Sequence, residues 1–316
     1  MTRIAVIGVG SFGKNHVRVV RESARAELAF VVDKDLTRAE EQAGEATAVT
    51  DYRDVIGQVD AAILAVPTVQ HAEVGCALLE SGIDVLVEKP IAHTLEAADR
   101  LVDAAGRNGR ILQVGHLERF NPAVMALERA ATLPLFFEIH RMSVFTLRSL
   151  DVDVVLDLMI HDLDIVLSLA RASLKEIRAA GISVLSPKVD IANVRLEFED
   201  GCIANLTASR VSTEKVRKLR LFQPRQYISI DYAKQSAAVF SVGGPTGIAF
   251  DQLPVQTAEP LKLQFDAFLD AVETRHPPKL DGPAARQTLE IALAVLDKIR
   301  EHTQVVEKTL AAGWKP

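Results

Sequence analysis

The sequence predicts an α/β protein in two parts: a doubly wound parallel sheet over residues 1–120, then an α+β part with an open antiparallel sheet over residues 121–316. Three observations carry this. A β-branched run at the start breaks into a glycine turn and then a helical pattern. Continuous apolar runs of strand length then alternate with helical stretches as far as residue 115. From residue 135 the apolar residues change to the one-in-two spacing of half-buried strands. With 316 residues and 48% hydrophobic content, the chain can fill two ordinary cores, which excludes a disordered or fibrous protein.

The first strand, from Arg3, ends in Gly8-Val9-Gly10-Ser11-Phe12-Gly13, and a helical pattern covers residues 14–22. Gly8 permits a tight turn, Gly10 lets the backbone approach a pyrophosphate, and Gly13 lets the helix sit close to its strand, with the helix N-terminus facing the phosphates. Gly8, Gly10, Ser11, Phe12 and Gly13 are therefore candidate dinucleotide-binding residues. The next strand, Leu28-Ala29-Phe30-Val31-Val32-Asp33, ends in a carboxylate twenty residues after Gly13. An acid there accepts hydrogen bonds from ribose hydroxyls and repels a 2′-phosphate, which leans the expectation toward NAD. Two alternatives stay open: Asp33 also suits a cap for a helix from Leu36, and Lys34 and Arg38 keep NADP in play.

Asp60-Ala61-Ala62-Ile63-Leu64-Ala65-Val66 reads as a central parallel strand, stopped by Pro67-Thr68 and followed by a helix over residues 72–80. Asp84-Val85-Leu86-Val87 and Ile111-Leu112-Gln113-Val114-Gly115 are further strands, with a helix over residues 95–105 between them. Ligands of such sheets bind at the carboxyl ends of the strands. Pro67, Thr68 and His71 follow one such end and Glu88-Lys89-Pro90 another, so Pro67, Thr68, His71, Glu88 and Lys89 join the cofactor-binding candidates. Lys89 is also a chemical candidate. Near a positively charged nicotinamide its ammonium is destabilised, and it is then suited to exchange a proton with a substrate hydroxyl. Glu88 either offsets that effect or binds a ribose; a solvated charge pair is the bland alternative.

Asp157-Leu158-Met159-Ile160-His161-Asp162-Leu163-Asp164 reads as the start of a helix that is apolar nearly all round. Asp157 and His161 stand four residues apart, so the carboxylate can orient the imidazole and fix its tautomer. A His beside carboxylates also serves as a satisfied structural group. No second His or Cys stands nearby, and Cys76 and Cys202 are the only thiols, so no metal site is expected.

Net charge −6 and a pI near 5.8 argue against a nucleic-acid partner. Two distant cysteines, no signal-like start and no membrane-length apolar run give the expectation of a soluble cytoplasmic protein without a membrane partner.

Strands are expected over residues 135–140, 176–182, 193–198, 202–207, 216–222, 226–232 and 237–242, with Glu199-Asp200-Gly201 as a hairpin turn. Such a sheet has one helix-covered face. The other is covered most simply by a second copy, so a homodimer or homotetramer is expected. Two helices, over residues 261–274 and 284–302, flank the Pro277-Pro278 breaker. Arg119, Arg141, Arg148 and Arg210 are candidates for a substrate diphosphate or carboxylate, or else ion-pair partners. Arg119, Asn121 and Arg148, with His161, are the substrate-binding candidates.

Gly8-Val9-Gly10-Ser11-Phe12-Gly13, Ala65-Val66-Pro67-Thr68, Glu88-Lys89-Pro90 and Asp157-Leu158-Met159-Ile160-His161 occur in an order and rough spacing that resembles a known family: the glucose–fructose oxidoreductase, inositol dehydrogenase and rhizopine catabolism family of NAD(P)-dependent sugar oxidoreductases. The resemblance spans most of the chain. It implies an N-terminal Rossmann domain, a C-terminal domain with an open antiparallel sheet, and a substrate proton handled by Lys89, Asp157 and His161.

Val114-Gly115-His116-Leu117-Glu118-Arg119-Phe120-Asn121-Pro122, the stretch from Ser149-Leu150-Asp151 to Asp157, and Tyr227-Ile228-Ser229-Ile230-Asp231-Tyr232 look like one branch of that family. That branch oxidises the 3-hydroxyl of UDP-N-acetylglucosamine to a 3-keto sugar, which an aminotransferase carries toward the diamino sugar of lipid A. The chain departs from many relatives where Val152-Asp153-Val154-Val155 replaces a glycine run, so bulkier side chains line the approach to the helix. The reaction expected is oxidation of a sugar's secondary hydroxyl by NAD, with either His161 or Lys89 taking the proton. The rivals are a dehydrogenase of a free sugar or inositol, and a cofactor-sensing regulator without chemistry.

Overall fold

The structure, a computed structural model, describes residues 1–146, 152–243 and 247–313. The chain forms two compact units: Met1–Leu117 with Glu259–Leu289, and Glu118–Ala258 with the chain from Glu290 on.

The first unit is built on six parallel strands: β1 (Thr2–Ile7), β2 (Ala26–Val32), β3 (Thr47–Val49), β4 (Ala61–Leu64), β5 (Asp84–Glu88) and β6 (Leu112–Gly115), in the order β3-β2-β1-β4-β5-β6. All four residues of β4 are fully buried, as expected of a strand covered on both faces. Helices α1 (Gly13–Glu22), α2 (Leu36–Ala43), α3 (His71–Glu80) and α4 (Leu95–Asn108) connect the strands. Gly8 has φ of +85°, and a Cβ on Gly13 would lie 1.9 Å from the Gly8 carbonyl oxygen. Those two glycines are what let α1 start so close to β1.

The second unit opens with α5 (Pro122–Ala130), which the sequence reading passes over although Asn121-Pro122 is a legible start. The Asn121 side chain accepts the Ala123 N–H at 3.0 Å, and proline occupies the first helical turn. β7 (Phe136–Val144) follows, then a wide π turn, Val155–Met159, which leads into α6 (Ile160–Leu169). The helix expected from Asp157 thus begins as a π turn, so Asp157 and His161 lie on two geometries of one continuous helical segment.

The sheet is completed by β8 (Leu174–Ile182), β9 (Ile191–Phe198), β10 (Ile203–Ser212), β11 (Val216–Gln223), β12 (Gln226–Asp231), β13 (Ser236–Val242) and β14 (Ile248–Gln252). Its order is β14-β13-β12-β11-β7-β10-β9-β8. Every neighbouring pair is antiparallel except β7 with β10. One face carries Phe137, Ile139, Val194, Leu196, Leu219, Leu221 and Ile228 into the core with α5 and α6. The opposite face carries a row of five rings on five adjacent strands. Phe136, Phe222, Tyr227, Phe240 and Phe250 follow one another at centroid spacings of 5.9, 5.3, 4.5 and 4.9 Å.

Two helices close the chain, α7 (Pro260–Thr274) and α8 (Gly282–Gly313). The sequence draws a single boundary after residue 120, whereas α7 returns to the first unit. Leu261, Phe265, Phe268 and Leu269 bury there with Val17 and Val20 of α1, and Gln113 Nε2 donates to the Gln264 carbonyl at 2.9 Å. A stripe of apolar side chains announces that a helix is buried but not which core takes it. Among the described residues no helix is long and apolar enough to cross a membrane.

Candidate active site

At the carboxyl ends of β1, β2 and β4 lies a groove of about 560 Å³ lined by Gly8, Gly10, Ser11, Phe12, Asp33, Lys34, Arg38 and Pro67, among others. A larger depression of about 780 Å³, lined by Thr2, Asp60, Asp84 and Arg110, lies at the amino ends of the strands. The smaller one is the better site, because the strand carboxyl ends and the N-terminus of α1 converge on it. Its glycines fit a dinucleotide. A Cβ on Gly8 would lie 2.7 Å from the Ala65 carbonyl oxygen, and one on Gly10 would meet nothing within 4 Å, so the Gly10 backbone is bare on that side.

Asp33, 7% exposed, stitches this groove together. Its Oδ2 accepts the Val9 N–H at 3.0 Å, its Oδ1 accepts the Asp35 N–H at 3.1 Å, and Arg38 Nη1 stands 3.8 Å from Oδ1. The cap of α2 is Asp35, which accepts the Arg38 N–H at 3.3 Å, so Asp33 does not serve in that role. Thr68 opens a short 3₁₀ turn, Thr68–Gln70, beside Pro67.

His71 turns inward, 1% exposed, and does not line the groove. Its Nε2 faces the Val66 carbonyl at 3.0 Å, and its Nδ1 faces those of Pro90 and Ile91 at 3.0 and 3.3 Å. Burial pushes the ring's pKa down, against the opposing pull of those carbonyls. Glu88 ends β5, and Lys89, half-buried, follows it.

In the second unit, Asp157 and His161 are both half-buried, on the π turn and the first turn of α6. Asp162 and Asp164 beside them are buried at 2% exposure. Arg141 of β7 grips Asp162 through Nε and Nη2 at 2.7 and 2.8 Å and reaches Glu118 through Nη1 at 2.8 Å. Tyr232 donates its hydroxyl to Asp162 at 3.2 Å, and its ring lies 4.9 Å from the Arg141 guanidinium carbon. Burial opposes the charge on Arg141, but the two carboxylates outweigh it and keep the guanidinium ionised; burial and the Asp162 charge push the Tyr232 phenol well up.

The substrate-binding candidates divide. Asn121 is committed to structure, capping α5 and donating to Glu118 at 3.2 Å and to the Tyr232 carbonyl at 3.1 Å. Arg119 pairs with Glu128 at 2.9 Å and approaches Asp164 at 3.5 Å. Arg148 lies outside the described residues. Arg210 is buried and donates to the Val152 carbonyl, helping to hold the segment ahead of the π turn.

The sequence reading missed the Arg141–Asp162–Glu118–Tyr232 network and the bond from His16 to Glu88 at 2.7 Å. A signal for the first was present, since two aspartates on an otherwise apolar helix require buried partners. Among the described residues no group of three or more His, Cys, Asp or Glu is arranged to hold a metal ion.

Known proteins resemble both units. Residues 2–116 match the GFO_IDH_MocA oxidoreductase family with an NAD-binding Rossmann fold, and residues 104–229 match the GFO/IDH/MocA C-terminal domain. A UDP-N-acetylglucosamine 3-dehydrogenase from Acidithiobacillus ferrooxidans is 34% identical over 93% of this chain and 96% of its own. Its solved structure matches with a TM-score of 0.90, at 33% identity over 95% of this chain and 98% of that one. An inositol 2-dehydrogenase from Saccharopolyspora erythraea is 26% identical over 92% of this chain and 93% of its own, while another from that organism is 40% identical over 40% of each.

Proposed function

The chain belongs to the GFO/IDH/MocA family of nicotinamide-dependent oxidoreductases acting on CH–OH groups, and from that premise we propose that it oxidises the 3-hydroxyl of UDP-N-acetylglucosamine with NAD. One observation carries the choice of substrate. The alignment to the UDP-N-acetylglucosamine 3-dehydrogenase covers 93% of the chain at 34% identity, whereas the inositol dehydrogenase that matches over comparable length is 26% identical. An alignment that extends over the second unit takes in more of the chain than the cofactor-binding part.

Bound NAD supplies an acceptor for the carbon-bound hydrogen and its electron pair. The chain's own groups do the rest. The Gly8–Gly13 turn and the N-terminus of α1 receive the pyrophosphate, and Asp33 receives the adenosine ribose and disfavours a 2′-phosphate. As the C–H bond breaks, the hydroxyl proton passes to His161, oriented by Asp157, or to Lys89, and the remaining electron pair forms the C=O bond.

We extend the proposal to self-association through the outer face of the second sheet. Five rings in one row, with Phe250 56% exposed, form an apolar stripe that a second copy would cover. The two cysteines, free and buried, suit the reducing interior of a cell.

The test is a substrate panel followed by absorbance of reduced nicotinamide. UDP-N-acetylglucosamine should reduce NAD, while N-acetylglucosamine and inositol should not. Reduction by inositol alone would replace this reading with that of a polyol dehydrogenase.

A further inference from the structure

We propose that His16 and His71 are positioning residues that bracket Lys89, fixing the backbone on either side of it. This rests on the reading of Lys89 as a proton-handling group.

His16, on α1, is fully buried, and its Nε2 donates to Glu88 Oε1 at 2.7 Å. Opposite a carboxylate the ring nitrogen must carry the proton. Its Nδ1 is buried with no hydrogen-bond partner among the described residues, so the ring's polar contact runs through Nε2. The other oxygen of Glu88 accepts the backbone N–H of Lys89 at 3.3 Å. Space for this carboxylate exists because β6 ends in Gly115, where a Cβ would lie 2.7 Å from Glu88 Oε1. The residue before Lys89 is thus held from α1, from β6 and from the Lys89 amide itself.

The residue after Lys89 is held from α3. His71 stands between the Val66 carbonyl on the loop after β4 and the Pro90 carbonyl on the loop after β5, at 3.0 Å from each; carbonyls only accept, so a neutral ring donates to one of them and packs against the other. Neither ring lines the groove, and each directs a ring nitrogen at the chain that carries Lys89 or the loop beside it. Two buried histidines in these places cost desolvation that apolar residues would avoid. What they provide is a fixed path for the Glu88-Lys89-Pro90 backbone, and an amine displaced by about 1 Å can cost about a hundredfold in rate.

The test uses the full chain with His16→Phe, His71→Phe, His16→Gln and His71→Gln. Phenylalanine keeps a ring and removes its nitrogens; glutamine restores a donor near Nε2, which faces Glu88 at position 16 and the Val66 carbonyl of the neighbouring loop at position 71. Measured for each are thermal unfolding, cofactor affinity, kcat and KM, and the pH profile of Lys89 acylation by an amine reagent, read by peptide mass spectrometry. The phenylalanine variants should lose about 10- to 100-fold in kcat, with KM for both substrates held within about threefold. Their Lys89 acylation profiles should move away from that of the parent chain, and the glutamine variants should recover part of both.

If a phenylalanine variant does not fold, the glutamine variant at that position and the pair at the other decide. Unchanged kcat per folded molecule with an unchanged acylation profile would overturn the proposal. Should Lys89→Met retain full turnover, the role of Lys89 fails on its own, and a shifted acylation profile would still uphold the bracket.

Discussion

Arg141 holds Asp162 through two parallel bonds, Nε to Oδ2 at 2.7 Å and Nη2 to Oδ1 at 2.8 Å, and so pins to β7 the helical turn that carries His161. Arg141 and Asp162 are each 2% exposed. Removing the cation leaves Asp162, among the described residues, with the Tyr232 hydroxyl alone and takes from Glu118 the nearer of two guanidinium groups, Arg217 remaining at 3.6 Å. Arg141→Met is therefore expected to destabilise the protein by about 3–5 kcal/mol in urea unfolding. Arg141→Met combined with Asp162→Leu should recover part of that loss, and no recovery would mean that the pair is not the source of the effect.

Lys89→Met and His161→Asn test the proton-handling assignment. The residue that accepts the proton should lose about 10²–10⁴-fold in kcat when replaced, with NAD affinity held within about threefold by fluorescence titration. If one variant keeps its turnover, the other residue is the acceptor.

Asp33→Ala removes the acceptor of two backbone N–H bonds and the negative charge beside Arg38. NAD should bind about tenfold more weakly, and the preference for NAD over NADP should shrink, since the repulsion of a 2′-phosphate is gone while Arg38 remains. An unchanged ratio of the two affinities would remove Asp33 from cofactor choice.

Asp190 gives a pH dependence with a definite sign. Burial pushes its carboxyl up, but the Ser186 hydroxyl and the N–H groups of Val184, Leu185 and Ser186 bring it from an ordinary 3.8 down to about 2. A depressed carboxyl stabilises the fold above its unfolded value, and that stability is lost as pH falls from about 4 toward about 2. The contribution is about 2 kcal/mol at neutral pH, and the stability of Asp190→Asn should fall less steeply over that interval than that of the parent chain.

Much of the first unit was legible in the sequence because each of its devices is local. The glycine turn needs residues within six positions of one another, and a strand covered on both faces reads as an unbroken apolar run whatever packs on it. The short strand Thr47–Val49 escaped because three residues carry no period, and β14 because its exposed edge holds Ala249 and Asp251 in no decisive pattern. Lys89, Asp157 and His161 were candidates from residue type and position alone. Arg141 with Asp162, and His16 with Glu88, were not legible as pairs, since each pair is joined across 21 and 72 positions respectively, and sequence alone carries no measure of that proximity. The unit to which α7 belongs was hidden for the same reason.

The aromatic row tests self-association. Tyr227 and Phe240 stack at 4.5 Å with 7° between their planes, at the middle of the outer sheet face. Tyr227→Ser with Phe240→Ser should reduce the mass found by light scattering to that of a single chain while leaving the circular dichroism unchanged. An unchanged multiple of the chain mass would move the contact elsewhere.

The most direct measurement of the proposed reaction follows one hydrogen. With UDP-N-acetylglucosamine deuterated at C3 and ordinary NAD, mass spectrometry of the reduced cofactor should find the deuterium on the nicotinamide ring, with a 3-keto sugar as product. Reduced cofactor without deuterium would mean that another carbon is oxidised, and no reduced cofactor at all would remove this sugar nucleotide as the substrate.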